Sequence, residues 1–200
     1  MTITFNPQLV TNAFGGFNAQ SSGWIVGEAL DDPAYRYALR GGVLGPAETL
    51  PMWGGLAVSV AVPPAIPASD ATSLGGIVTR AAAVAGHVGF SVFNQDHAMV
   101  SSPQSPVPLA SNGMRVHYYL LGSRARIAVP ISAALLGAAA GALYNQPCAW
   151  DYTNQQLIVG TGLPVEILAV AASGCMVPVY TPGTGFCTWN YNGAAAIIQL

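Results

Sequence analysis

Two hundred residues suit a single domain, with or without an arm, and only 7% of them are charged, where an ordinary soluble domain carries roughly a quarter. There is no lysine, and six arginines face eight carboxylates for a formal net charge of −2. That balance excludes the basic footprint needed to hold nucleic acid or anionic lipid, and so bare a surface implies burial against partners, most simply copies of the same chain or a larger assembly.

Residues 1–23 are rich in Asn, Gln, Thr, Ser and Gly, with Phe5, Phe14 and Phe17 spaced through them. A segment with so little apolar surface does not fold alone. It reads as an N-terminal arm whose aromatics anchor on another surface, or as a strand and loop folded back onto the same subunit. A β-rich domain is expected over 24–200. No basic segment or apolar stretch at the start has the form of an export signal. Three cysteines, Cys148, Cys175 and Cys187, show no metal-ligand spacing and are expected to be buried, reduced thiols.

Asp31-Asp32-Pro33 and the later Gly41-Gly42 frame a stretch that has helix-end residues, yet Tyr35, Tyr37 and Leu39 alternate with Arg36, Ala38 and Arg40. The alternation favours a strand. Leu56, Val58, Val60 and Val62 alternate in the same way and are stopped by Pro63 and Pro64. Residues 74–86 read as a short helix or a loop, and Val88, Phe90 and Val92 as another strand. Pro103, Pro106 and Pro108 predict an extended, unpaired crossover between two halves of a β domain.

Further strands are expected around Val116, Tyr118 and Leu120, then Ile127 and Val129, then Cys148, Trp150 and Tyr152. A turn at Asn154 and Gln155 leads to one at 157–159, and another strand covers 163–172. Residues 132–143 favour helix by their Ala and Leu content, weakened by Gly137 and Gly141. The uncharged run 127–144 approaches the length of a membrane span, but Pro130 interrupts it and alanine dilutes it, so no membrane insertion is expected.

The last stretch, 175–200, has a turn cluster at Pro182-Gly183-Thr184-Gly185 between runs of Val, Tyr, Phe and Trp. It predicts a hairpin in which facing residue numbers sum to 367, placing Tyr180 opposite Cys187, Pro178 opposite Trp189 and Met176 opposite Tyr191. The face carrying Tyr180, Trp189 and Tyr191 is expected to be core. After Gly193 the chain becomes a final buried strand. Short strands with frequent turn signals give a mainly β fold, an antiparallel β-sandwich or barrel with an extended N-terminal arm and at most one or two short helices.

The three histidines, His87, His97 and His117, have no partner at catalytic or metal-binding spacing and read as half-buried structural residues. There is no nucleophile elbow and no phosphate loop. No catalytic residue, cofactor site or metal site is therefore assigned. Trp24, Trp53, Trp150 and Trp189 are the large anchors. Trp24 and Trp53, together with Arg124, Arg126, Phe5, Phe14 and Phe17, form the candidate interface set.

Several segments resemble structural proteins of tailed-bacteriophage virions, among them capsid cement or decoration proteins. They are Leu50-Pro51-Met52-Trp53-Gly54-Gly55, Leu74-Gly75-Gly76-Ile77, Phe90-Ser91-Val92-Phe93, Ser102-Pro103-Gln104-Ser105-Pro106-Val107-Pro108, Trp150-Asp151-Tyr152 and, above all, Thr184-Gly185-Phe186 through Thr188-Trp189-Asn190 to Ala196-Ile197-Ile198-Gln199-Leu200. The resemblance implies a non-enzymatic, β-rich protein on the outside of an icosahedral head, usually a homotrimer bridging subunits of the major capsid protein. It implies assembly into the virion after synthesis in the host cytoplasm. A tail or host-recognition protein is the alternative within the virion.

Overall fold

The computed structural model describes residues 23–30, 37–62, 76–93, 100–102, 105–142 and 146–200. Phe5, Phe14, Phe17 and His97 lie outside the described residues. Five short strands form a closed barrel in the order β1 (Arg40–Leu44), β3 (Ile77–Arg80), β2 (Ala57–Ala61), β4 (Gly89–Val92) and β7 (Arg115–Leu120). All neighbours are antiparallel except β1 and β3, where Val43 pairs with Ile77 and Leu44 with Val78 in parallel. The fold is thus mainly β and contains a barrel, with one parallel pair in a wall expected to be wholly antiparallel.

Closure removes the barrel's bare edges. It also makes the wall two-sided. On β2, Val58 joins one buried cluster and Ala57 the other; on β7, Val116 and Tyr118 join the first and Tyr119 the second. The second cluster is completed by β8 (Arg126–Pro130), the helix α1 (Ala133–Ala139), the hairpin β9 (Cys148–Asp151) with β10 (Gln156–Val159), and the strands β11 (Glu166–Thr181) and β12 (Phe186–Gln199). β8, β12 and β11 form a sheet with β12 in the middle.

Residues 24–30 cover both outer strands of that sheet. Val26 N–H donates to the Met176 carbonyl of β11, and Gly27 N–H to the Ala128 carbonyl of β8. Met176 N–H donates outward to the Trp24 carbonyl, and two residues further along β11 stands Pro178, which has no N–H to offer a new strand.

Near its turn the hairpin has the expected register, with Tyr180 opposite Cys187 and Pro178 opposite Trp189. The Met176–Tyr191 pair does not form. A register shift falls between Val177–Asn190 and Cys175–Gly193, so the alternation resets and Tyr191 is 53% exposed instead of core. The two stretches expected as separate strands before the turn, 163–172 and the first hairpin arm, are one continuous strand with irregularities. Gly193 does not interrupt β12. It lies beneath Val177, whose Cγ2 would stand 2.3 Å from a Cβ at this position.

Other expectations are corrected. Part of the strand expected before residue 40, with Tyr35 and Arg36, lies outside the described residues; β1 starts at Arg40 and runs through Gly41 and Gly42, expected to close that stretch. Ile77–Arg80, inside the stretch expected to be helix or loop, is β3. Most informative is the proline segment: β5 (Val100–Ser102) and β6 (Ser105–Leu109) pair with each other. Pro106 and Pro108 share one parity, so Ser105, Val107 and Leu109 keep their N–H groups on the other side of the strand, which allows pairing on one edge.

The run 127–144 divides between β8 and α1. The helix starts where Ser132 accepts from Leu135 N–H at 3.3 Å, and it buries Leu135. No helix among the described residues is long and apolar enough to cross a membrane.

Candidate functional site

The sharpest cluster of chemistry lies where the 3-10 turn Val84–Gly86 meets the β9–β10 hairpin. His87 leaves the turn and enters β4 two residues later. Its ring makes an edge contact with Phe90 at 4.6 Å between centroids, and Phe90 makes another with Trp150 at 4.8 Å. His87 Nδ1 lies 3.2 Å from Tyr152 Oη. Among the described residues its other nitrogen, Nε2, is buried without a hydrogen-bond partner. His87 is only 7% exposed. Burial lowers its pKa to about 4, against a hydrogen bond with the Gly89 backbone that acts to raise it. The imidazole is therefore neutral at pH 7.

The hairpin is held in place by Gln155, a buried polar residue in a left-handed conformation (φ 52°). Its Oε1 accepts from Ala57 N–H of β2 at 3.1 Å and from Trp150 Nε1–H at 3.3 Å, while its Nε2 donates to the Tyr152 carbonyl at 2.8 Å. Asp151 closes the loop from outside by accepting from Thr153 and Asn154 N–H, and these bonds, with the Asn154 side chain first, lower its pKa.

Between these groups opens a cleft of about 230 Å³, lined by Val84, His87, Leu121, Ala149, Trp150, Tyr152, Thr161, Gly162, Leu163 and Pro164. None of these is an aspartate, glutamate, lysine or arginine. Such a cavity can hold an apolar or aromatic group. It offers little for bond-breaking: a neutral histidine, a phenol and the Thr161 hydroxyl, with no carboxylate or thiol among the lining residues.

Elsewhere in the fold the buried Ser91 hydroxyl is occupied structurally. Ser91 Oγ donates to the Trp53 carbonyl at 2.6 Å and accepts from Leu56 N–H at 3.0 Å. All three cysteines are buried thiols outside any disulfide, and burial pushes Cys148 and Cys187 up to about 11. Among the described residues no group of three or more His, Cys, Asp or Glu side chains is placed to hold a metal.

The described interface candidates are not brought together. Trp53 is buried, with the Arg80 guanidinium 4.6 Å from its ring centroid and Tyr180 of the hairpin at 5.5 Å, so it joins barrel to hairpin within the chain. Arg80 donates through Nη2 to the Pro51 carbonyl, and its backbone N–H to Glu48 Oε2 at 2.9 Å. Trp24 is half-buried against the cluster of Val26, Cys175 and Ala195. Arg124 and Arg126 are exposed, but Arg124 sits in a left-handed turn (φ 62°) before β8 rather than on it, and its N–H donates to the Leu200 carbonyl.

The exposed apolar groups of the C-terminal hairpin lie elsewhere. Val179 and Phe186 are exposed on the side away from half-buried Tyr180 and buried Cys187. From Ile167 to Leu200 there is no Asp, Glu, Lys, Arg or His.

Comparison with protein-family models, curated proteins and solved structures finds no match. The cleft itself was not visible in the sequence, because His87 and Tyr152 are far apart and only the β9–β10 hairpin brings them within bonding distance. The one local signal is the pair Asn154-Gln155, which marks a turn but gives no sign of its anchoring role.

Proposed function

We propose that this chain is a non-enzymatic virion protein, a cement or decoration protein that binds the outside of an icosahedral phage head and bridges subunits of the major capsid protein as a homotrimer. The observation that carries this reading is the long C-terminal hairpin, uncharged from Ile167 onward, whose outward face shows Val179 and Phe186 to solvent. Exposed apolar surface on so charge-poor a chain calls for a protein partner. The same hairpin carries the strongest of the segments that resemble phage structural proteins, and the cleft chemistry gives no competing reaction.

The action would be mechanical. Each copy adds contacts that must break before shell subunits can separate, and a trimer attached at several points dissociates far more slowly than one contact would allow. No cofactor, metal or nucleic acid enters this scheme.

The test is mass spectrometry of purified particles combined with imaging. Copies distributed over the head support the reading. Copies confined to the tail would make the chain a tail or host-recognition protein, and absence from mature particles would overturn the virion assignment altogether.

A further inference from the structure

We propose that copies of this chain join head to tail, with Phe186 at the hairpin end of one copy seated in the His87–Trp150–Tyr152 cleft of the next. The idea deepens the self-association in the function proposed above and rests on that part of it alone.

Three features of the two surfaces match. The first is size: about 230 Å³ is ample for a phenyl group, since a cavity of roughly 150 Å³ accommodates benzene. The second is presentation. Phe186 opens β12 beside the turn and is 40% exposed; Val179, on the same outward face, is 44% exposed. The cleft in turn offers Val84 at its lip, 64% exposed. The third is electrostatic. No charged side chain occurs from Ile167 to Leu200, and none of the cleft residues is an Asp, Glu, Lys or Arg. Since His87 is neutral at ordinary pH, neither surface must give up a hydrated charge when they meet.

A second copy is favoured as the occupant because this same chain supplies both halves. The hairpin edge is a poorer route to self-association. Pro178 lacks the N–H that strand addition requires, and Met176 beside it already bonds to Trp24. Contact through side chains at the hairpin end needs no free backbone edge. Because tip and cleft are different surfaces, the contact is heterologous and closes into a ring when the rotation between copies permits.

The experiment uses the full chain, with Phe186→Ser to remove the tip group and Val84→Arg to obstruct the cleft. Both positions are exposed, and unchanged thermal melts confirm that each variant folds. Analytical ultracentrifugation of the wild type should show oligomers whose stability changes little between low and high salt. Each variant should associate about 30-fold more weakly or worse.

Mixing is decisive. An equimolar mixture retains one intact contact, between the tip of the Val84→Arg protein and the cleft of the Phe186→Ser protein, so heterodimers should form from two species that are monomeric alone. A mixture that stays monomeric, variants that assemble like the wild type, or a wild type that is monomeric at every concentration would each overturn the contact. Monomers whose cleft binds phenol would overturn it too and give the cleft to a free aromatic ligand. Absence from particles with assembly intact would instead defeat only the virion reading.

Discussion

His87 shows what burial does to a side chain that would otherwise titrate near neutrality. In the unfolded chain it protonates around its ordinary value of 6.5, but in the fold only around 4. Between these values the unfolded state binds a proton that the folded state does not, so stability is complete above pH 6.5 and is lost as the pH falls toward 4. At pH 5 the expected loss is about 2 kcal/mol. Urea denaturation between pH 7 and 5 should show the midpoint falling in the wild type, and His87→Phe should flatten that slope. An equal slope in both proteins would place the acid sensitivity elsewhere. Glu28, whose pKa is raised by burial, acts in the opposite sense, so the difference between wild type and variant, not either curve alone, measures His87. The sequence marks His87 as a structural residue but places it on a strand, whereas it lies between the 3-10 turn and β4; its depth and its contact with Tyr152 are not legible, because those depend on a hairpin more than sixty residues later. Gln155 was harder still to read. A glutamine in a turn gives no sign that its amide will be buried and bonded to the backbone of β2.

At the scale of elements, alternation was a good guide wherever a strand presents different environments to its two sides. Ile127 and Val129, Val116 and Tyr118, and the arms flanking residues 182–185 were all legible for that reason. β3 is not legible because four residues between a glycine and an alanine-rich stretch give too short a period. The β5–β6 hairpin is hidden because proline breaks a strand only on the edge its missing N–H faces, and Pro106 and Pro108 share that edge. The register slip near Tyr191 follows from irregularities no pattern announces. Gly193 provides a direct test of how that slip is held. A Cβ there would meet Val177 Cγ2 at 2.3 Å and Val177 Cβ at 2.9 Å, and a β-branched side chain has little freedom to turn away. Gly193→Ala should therefore cost about 1–3 kcal/mol in chemical denaturation. Val177→Ala in the same chain should recover part of that loss, giving a favourable coupling in the double-mutant cycle. Purely additive effects would mean that the two residues do not meet.

For the whole molecule, two features decide whether barrel and outer sheet behave as one body or two. The barrel wall is shared, since β2 and β7 each contribute side chains to both buried clusters from alternate positions. The hairpin spans the same division. Near its base Ile167, Ala196 and Ile198 belong to one cluster, while at the far end Cys187 belongs to the other, with Tyr180 and Trp189 packed against it. Gln155 adds a polar tie between the β9–β10 loop and β2. Neither side can lose its packing without stripping apolar surface from the other, so unfolding should be a single cooperative transition. Tryptophan can report each cluster separately, because Trp53 belongs to one and Trp150 to the other. Variants that keep only Trp53 or only Trp150, with Phe at the other three tryptophan positions, should give fluorescence midpoints in urea that coincide with each other and with the far-ultraviolet circular dichroism of the same protein. Separated midpoints would show that the barrel survives loss of the outer sheet, and the hairpin would then be an appendage instead of the clasp that joins the two cores.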